Sequence, residues 1–335
     1  MLFRSPKRIF VKLAGNGNLI PVYSEVVADL DTPISAFSKI DKGGYSFLLE
    51  SVEGGERLAR YSFLGSDPSL VFSTRGKQVT LREGKTTRTF DTDDPIRELK
   101  KLLSGYRFVK VPSLPRFTGG LVGFLCYDMV RFIEKLPDKN DDQLEIPDSV
   151  FMLADTLLIF DHVDHKIKVV SNAHIKGQPG AAYDEAVRRI RAITEDLKAR
   201  RKERPAFMIK HKPMPLKLKS NFSEMEFDEA VVRAKKYIKS GDIIQVVLSQ
   251  RFQTPVGSHP LQIYRALRSI NPSPYMYYLK LKDFHIVGSS PEIMVRCEDG
   301  TVEVRPIAGT RPRGSSESED ASLAEELLKD PKERA

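Results

Sequence analysis

The sequence predicts an α+β fold built on large antiparallel sheets. Short runs of β-forming residues follow one another with few helices between them, on both sides of a basic segment near the middle of the chain. There is no glycine-rich nucleotide loop and no short-period repeat, which sets aside a Rossmann-type arrangement. With 335 residues, 41% of them hydrophobic, the chain has enough apolar material for one large or two ordinary domains and is not a disordered polypeptide.

The strands read in order. "GGYSFLLES", "ARYSFLG", "LVFST", "KQVTLRE" and "TTRTF" are short, rich in β-branched and aromatic residues, and mostly separated by turn residues. A helix is predicted over "DPIRELKKLL". "GGLVGFLCYD" is the next strand, and "FMLADTLLIFD" and "HKIKVVSNA" form a pair joined by a tight hairpin around Val163 and Asp164. A helix with Ala186, Ile190, Ile193 and Leu197 on one face then leads into the basic segment, where Pro205, Pro213 and Pro215 interrupt regular structure. Beyond it Ser223 and Glu226 form a capping box, Phe227, Val231, Ala234 and Ile238 make an apolar stripe, and Gly241 ends the helix. "DIIQVVLSQRF", "YMYYLKL", "FHIVGS", "EIMVRCE" and "TVEVRPIAG" give a second run of strands. The organisation expected is a first domain over residues 1–204, a linker over 205–222 and a second domain over 223–335.

The net charge of +8 does not mark a nucleic-acid-binding face. Residues 197–219 hold nine Lys or Arg against one acid, so this one stretch carries the whole surplus and reads as a solvated linker. No apolar run is long enough to span a bilayer, which excludes a membrane protein of that kind. The first two dozen residues are basic and lack acids until Glu25, a faint likeness to a transit peptide, but a mature cytoplasmic N-terminus is the simpler expectation. Cys126 and Cys297 show no metal or redox spacing and are expected to be buried thiols in a reducing compartment.

Strand alternation assigns faces. In "DIIQVVLSQRF", Ile244, Val246, Leu248 and Phe252 share an apolar face, whereas Gln245, Ser249 and Arg251 line either a site or a solvated surface. In "GSSPEIMVRCED", Ile293, Val295 and Cys297 share the apolar face and Glu292 starts the strand after Pro291, at a sheet rim. The loop "PIAGTRPRG" combines Gly309 and Gly314, which admit close backbone approach, with Arg311 and Arg313, whose forked donors suit carboxylates or phosphate.

These stretches together resemble a known family. "LLES" (48–51), "GGLVGFLCYD" (119–128), "GDIIQVVLSQRF" (241–252), "NPSPYMYYL" (271–279), "GSSPEI" (288–293) and "RPIAGTRPRG" (305–314) occur in the order found in large subunits of anthranilate synthase, among the chorismate-utilising enzymes. The resemblance implies a sandwich of antiparallel sheets with outer helices, and conversion of chorismate and ammonia to anthranilate and pyruvate with Mg²⁺. The ammonia would come from a glutamine amidotransferase subunit, anthranilate synthase component II. It implies Glu292 as proton donor to the departing hydroxyl, its protonation favoured by desolvation at the rim, with Gln245 and Thr310 completing the catalytic set. Ala308, Gly309, Arg311 and Arg313 would bind substrate. Gln245 stands where water-using relatives carry a lysine base. Ala308 stands where aminodeoxychorismate synthases commonly have lysine, which favours anthranilate as the product. "LLES" and "NPSPYM" resemble the family's site for L-tryptophan as feedback inhibitor, with Glu50 and Ser51 toward the amino group and Asn271, Pro274, Tyr275 and Met276 forming a pocket for the ring.

The chain ends in "DPKERA", where Asp330, Pro331 and Glu333 read as the start of a helix. In the family a Glu-His pair follows directly, and the Mg²⁺ ligands are expected beyond Ala335. These residues by themselves are therefore expected to be a truncated, inactive chain that associates through unpaired strand edges. Aminodeoxychorismate synthase, another chorismate enzyme, or a non-catalytic tryptophan-binding fragment are the alternatives.

Overall fold

The computed structural model describes residues 3–28, 30–52, 60–198, 217–304 and 309–331. Before the basic segment the elements are α1 (Lys7–Leu13), β1 (Leu19–Val27), α2 (Pro33–Ile40), β2 (Tyr45–Glu50), β3 (Tyr61–Ser66), β4 (Leu70–Arg75) and β5 (Gln78–Glu83). They continue with β6 (Thr86–Asp91), α3 (Pro95–Ser104), β7 (Gly120–Leu125), β8 (Ser149–Ala154), β9 (Thr156–Asp161), β10 (Lys166–His174) and α4 (Pro179–Lys198). After it come β11 (Lys219–Ser220), α5 (Glu224–Ser240), β12 (Phe252–Gln253), α6 (Pro260–Ile270) and β13 (Tyr275–Leu281). The described elements end with β14 (Phe284–Ser290), β15 (Arg296–Glu298), β16 (Thr301–Glu303) and α7 (Glu317–Lys329). The chain forms two compact units, residues 1–200 with 264–335, and residues 201–263.

In the first unit, seven strands form an antiparallel sheet in the order β1-β10-β9-β3-β2-β13-β14, and five form a second in the order β6-β5-β4-β8-β7. The predicted α+β class with large antiparallel sheets stands. Phe47, Leu157, Ile159 and Leu279 from the first sheet join Val71, Val122 and Met152 from the second in one buried cluster, so the sheets pack face to face. Each such side chain taken out of water contributes about 1.5–3 kcal/mol. Helices α2 and α4 lie against the seven-stranded sheet, with Phe37 set edge-on to Tyr278 at 5.5 Å and Ala186, Ile190 and Leu197 of the predicted α4 face buried. Helix α3 covers the other sheet through Leu99 and Leu102, against Leu70, Phe72 and Leu81. Strands β13 and β14 follow the basic segment in sequence yet join the sheet begun before it.

Helix starts follow their caps. Thr32 and Ser35 close a capping box on α2, Asp94 accepts from Arg97 N on α3, and the predicted Ser223–Glu226 box opens α5, which Gly241 ends at φ 80°. At the other end of the chain, Asp330 has an extended backbone and Pro331 is helical; the rest of "DPKERA" lies outside the described residues.

Several expected strands differ. "FMLADTLLIFD" is two strands, because the chain leaves the five-stranded sheet after Ala154 and enters the seven-stranded one at Thr156. "DIIQVVLSQRF" keeps only its last residue as strand, in the two-residue Phe252–Gln253 paired with Lys219–Ser220, and its apolar face is open, with Ile244 97% exposed. "EIMVRCE" is reduced to Arg296–Glu298, and Cys297 is exposed rather than buried, while Cys126 is half-buried. In the last two cases alternation marks a face that a second layer would cover, and an amphipathic run gains little as a strand until a ladder partner and a packing layer are both present. Among the described residues of the 201–263 unit the sheet is a two-residue ladder and α5 buries no side chain. Among the described residues no helix is long and apolar enough to cross a membrane.

Candidate functional site

The first unit brings two of the singled-out motifs together. The end of "LLES" and the start of "NPSPYM" are neighbours because β2 pairs with β13 in a register that sets Glu50 opposite Met276. Val52 N donates to Ser273 O at 3.2 Å, extending the contact past the strand ends. Residues opposite one another in a ladder share a face, so Glu50 and Met276 point to the helix side of the sheet, at 5% and 1% exposure. On β3, Ser62 continues this row as the partner of Glu50. Ser51 and Tyr275 occupy the same strand ends, half-buried, and Asn271 is exposed after α6, its carbonyl accepting from Ser289 Oγ at 2.7 Å.

A carboxylate buried this far needs donors. Tyr264 on α6 gives its hydroxyl hydrogen to Glu50 Oε2 at 2.6 Å, and Arg268, one helical turn on, brings Nε to 3.3 Å from the same oxygen. Burial pushes the Glu50 carboxyl above the usual carboxylate range, with the Tyr264 hydrogen bond and the Arg268 charge opposing it. The Tyr264 phenol is pushed well above its ordinary value, first by burial and then by the Glu50 charge. A cavity of about 340 Å³ opens beside Glu50 and Arg268, bordered also by Asp31, Phe160, His162 and His165. His162 lies 2.8 Å from Ser62 Oγ, and burial, with Arg268 nearby, lowers its pKa. A group carrying both an ammonium and a carboxylate would find both partners at this cavity in Glu50 and Arg268.

Tyr264 and Arg268 were not singled out from the sequence. Their spacing of four sets both on one face of α6, but nothing local in the sequence says that this face meets Glu50.

The arginine loop is organised around its own chain. Arg311 holds Glu326 Oε1 at 3.0 Å and Asp330 Oδ2 at 2.6 Å, both carried by α7 and its C-cap. Arg313, largely exposed, meets Asp320 at 2.9 Å, and Gly314 N donates to the same carboxylate at 2.8 Å. A side chain at Gly314 would strike the backbone of Asp320, so this glycine serves close approach rather than positive φ. Gly309 is half-buried and Thr310 exposed, the latter accepting from Arg311 through its carbonyl at 3.2 Å; Ala308 lies outside the described residues. Glu292 is exposed just past the end of β14, where its carbonyl accepts from Ser290 Oγ at 2.9 Å. Gln245 is exposed in an irregular stretch of the 201–263 unit.

Comparison with known proteins places this chain among others. Residues 45–335 match the sequence profile of a family described as chorismate binding enzyme. Anthranilate synthase component 1 of Acetivibrio thermocellus is 43% identical over 326 residues, which is 96% of this chain and 66% of that protein. The protein of that name from Synechocystis is 45% identical over 343 residues, 97% of this chain and 67% of its own length. The chain thus spans about two thirds of the length of these curated relatives. The crystal structure of anthranilate synthase component I from Streptococcus pneumoniae superposes with a TM-score of 0.67 at 28% identity, over 92% of this chain and 65% of that one. The menaquinone-specific isochorismate synthase of Escherichia coli superposes at 0.52 with 11% identity, over 95% and 61%, a likeness of fold alone.

Proposed function

The chain belongs to the chorismate-binding enzymes, and from that premise we propose that it is the chorismate-converting large subunit of an anthranilate synthase. The observation that carries the proposal is the similarity, along almost the whole chain, to relatives named anthranilate synthase component 1. In the proposed reaction ammonia forms a bond to the ring of chorismate, the C4 hydroxyl departs as water, and elimination of pyruvate leaves anthranilate. Hydroxide is a poor leaving group, so the step needs a proton donor, and Glu292 is assigned that task, although it stands exposed past the end of β14 rather than desolvated at a strand rim as expected. Gln245 fits a reaction whose nucleophile is already basic enough to need no lysine. A glutamine amidotransferase subunit is the proposed ammonia source, and the cytoplasm, consistent with two unpaired thiols, the proposed compartment.

Arg311 and Arg313 are the proposed partners of the substrate carboxylates. Both are held by carboxylates of α7 and its C-cap, so a substrate carboxylate would have to displace or share those pairs. Mg²⁺ is the metal expected of this chemistry. Among the described residues no three His, Cys, Asp or Glu side chains stand together as cation ligands, so no step is derived through the metal. We infer that the 335 residues alone leave chorismate unchanged.

The proposed regulatory ligand is L-tryptophan at the paired ends of β2 and β13. Support comes from the register that brings Glu50 opposite Met276 and from the Val52–Ser273 bond, which join two motifs more than 200 residues apart.

The test is the fluorescence of anthranilate formed from chorismate, ammonium and Mg²⁺, with the product identified by chromatography. No product is expected from the 335 residues, and anthranilate is expected from a polypeptide extended to its relatives' full length. Aminodeoxychorismate from the longer polypeptide would overturn the assignment, and turnover by the 335 residues would overturn the inactivity.

A further inference from the structure

At the end of β9 remote from Glu50 lies a second cavity that the proposed chemistry does not use. Here the chain steps between the two sheets at Asp155. The Asp155 N–H turns back to Leu153 O at 2.9 Å, and its carbonyl accepts from Asn172 N at 2.7 Å, which fixes the step. Beneath the first half of α4 the diverging strand ends enclose about 340 Å³.

The walls have two characters. Leu70, Leu153 and the ring of Tyr106, which lies 4.7 Å from that of His174, make one side apolar and aromatic. Asp155, Asn172 and Arg189 make the other polar. Asn172 is 3% exposed; its Nδ2 donates to Thr118 O at 2.7 Å, which fixes the amide orientation, and its Oδ1 has no hydrogen-bond partner among the described residues. A buried acceptor without a donor is among the costlier features a fold carries, and such atoms in native proteins commonly mark a missing water or ligand. Charge points the same way. Arg189 is shared between Asp155 at 3.1 Å and Glu185 at 3.2 Å, so one guanidinium serves two carboxylates at the cavity wall, with Glu83 at the rim adding a third. Burial also holds the Asp155 carboxyl above its ordinary range, against the Ser69 hydroxyl and the Arg189 charge. The site therefore holds three carboxylates and a buried amide oxygen against two cationic side chains, Arg189 and Lys176, beside an apolar wall.

We propose that this cavity binds a small organic ammonium the size of a free amino acid. Its ammonium donates to the Asp155 carboxylate and Asn172 Oδ1, and its apolar part packs on Leu70, Leu153 and Tyr106. Lys176, exposed at the rim, suits a carboxylate on the same molecule. Because the readout is binding, the proposal stands or falls independently of chorismate turnover.

The experiment titrates the purified protein with the proteinogenic L-amino acids, each alongside its N-acetyl derivative, by calorimetry and ligand-observed NMR. At least one free amino acid is expected to bind with Kd of about 1 mM or tighter, and its N-acetyl form, which lacks the ammonium, is not. Ala182→Leu, which adds bulk to the cavity wall from α4, and Asp155→Asn should each weaken binding at least tenfold. Urea unfolding checks that each variant is folded, and either folded variant suffices to read the effect. Glu50→Gln should leave this binding unchanged. No binding by any member of the panel, binding that Glu50→Gln removes while the cavity variants do not, or a crystal soaked with the best amino acid showing only an ordered water on Asn172 would each overturn the proposal.

Discussion

The Tyr264 hydroxyl donates to Glu50 Oε2 at 2.6 Å, joining a helix to a strand 214 residues earlier in the sequence. Both groups are buried and the acceptor is ionisable, so this bond belongs among the stronger intramolecular hydrogen bonds. Tyr264→Phe keeps the ring contact with Tyr278 at 5.9 Å and removes only the oxygen. Its expected cost is about 1.5–3 kcal/mol, read from urea denaturation at neutral pH. A loss under about 0.5 kcal/mol would show that Arg268 alone satisfies the carboxylate.

Glu50 also predicts a pH dependence. Burial raises its folded-state pKa above the unfolded value, so between those two values the native state binds more protons than the unfolded chain. Stability from this group is therefore fully present below the usual glutamate range and declines as pH rises through the folded pKa. In Glu50→Gln that decline should vanish, and the difference in unfolding free energy between wild type and variant should narrow with rising pH before levelling. A difference that does not change with pH would contradict the raised pKa.

Asp161 has the opposite sign. Burial tends to raise its pKa, but Arg60, gripping both carboxylate oxygens at 3.0 and 2.9 Å, and the Asp164 N–H hold it below the ordinary range. Its stabilisation is present above the unfolded aspartate pKa and is lost as pH falls through the folded one. Asp161→Asn should flatten the acid limb of the stability profile, measured by thermal melts over a pH series, and an unchanged acid limb would mean that other carboxylates set it.

For the proposed chemistry the decisive substitution is Glu292→Gln in the polypeptide of full length. Loss of a proton donor to the leaving hydroxyl is expected to lower kcat by roughly 10²- to 10⁴-fold with little change in KM for chorismate. Unchanged kcat would take the role away from Glu292.

What was legible in the sequence divides by the kind of information each feature needs. The Ser223–Glu226 box and the Gly241 stop are local, three residues or one residue deep, and they appear as read. Most strands of the two large sheets were likewise visible from β-rich runs between turns. The break at Asp155 was not, because "LADTLL" is apolar on both sides and only the assignment of its halves to different sheets separates them. Strand β1 was hidden by a stretch whose salient trait was its charge. The faces of residues 244–252 were readable as amphipathic, but periodicity cannot say what covers a face, and there the side chains stand open. At the site, Glu50 and Met276 came from motifs, whereas Tyr264 and Arg268 are defined by a tertiary contact that no local pattern encodes.

A glycine pair in "GGLVGFLCYD" separates two causes of strain. Gly119 and Gly120 both have positive φ, 148° and 131°, where a side chain is unfavourable. Only Gly119 is also crowded: a Cβ there would lie 2.7 Å from Ala154 O and press on Asn172 Nδ2, whereas a Cβ on Gly120 meets nothing within 4 Å among the described residues. Gly120→Ala therefore measures the backbone conformation alone, while Gly119→Ala adds the clash and pushes Asn172 off its bond to Thr118 O. The backbone effect is expected to cost at least about 1 kcal/mol, and the crowded position roughly 2 kcal/mol more, in urea unfolding. Equal losses at the two positions would mean that the strand ends around Asn172 yield without cost, and that the close approach of Gly119 is not what holds them.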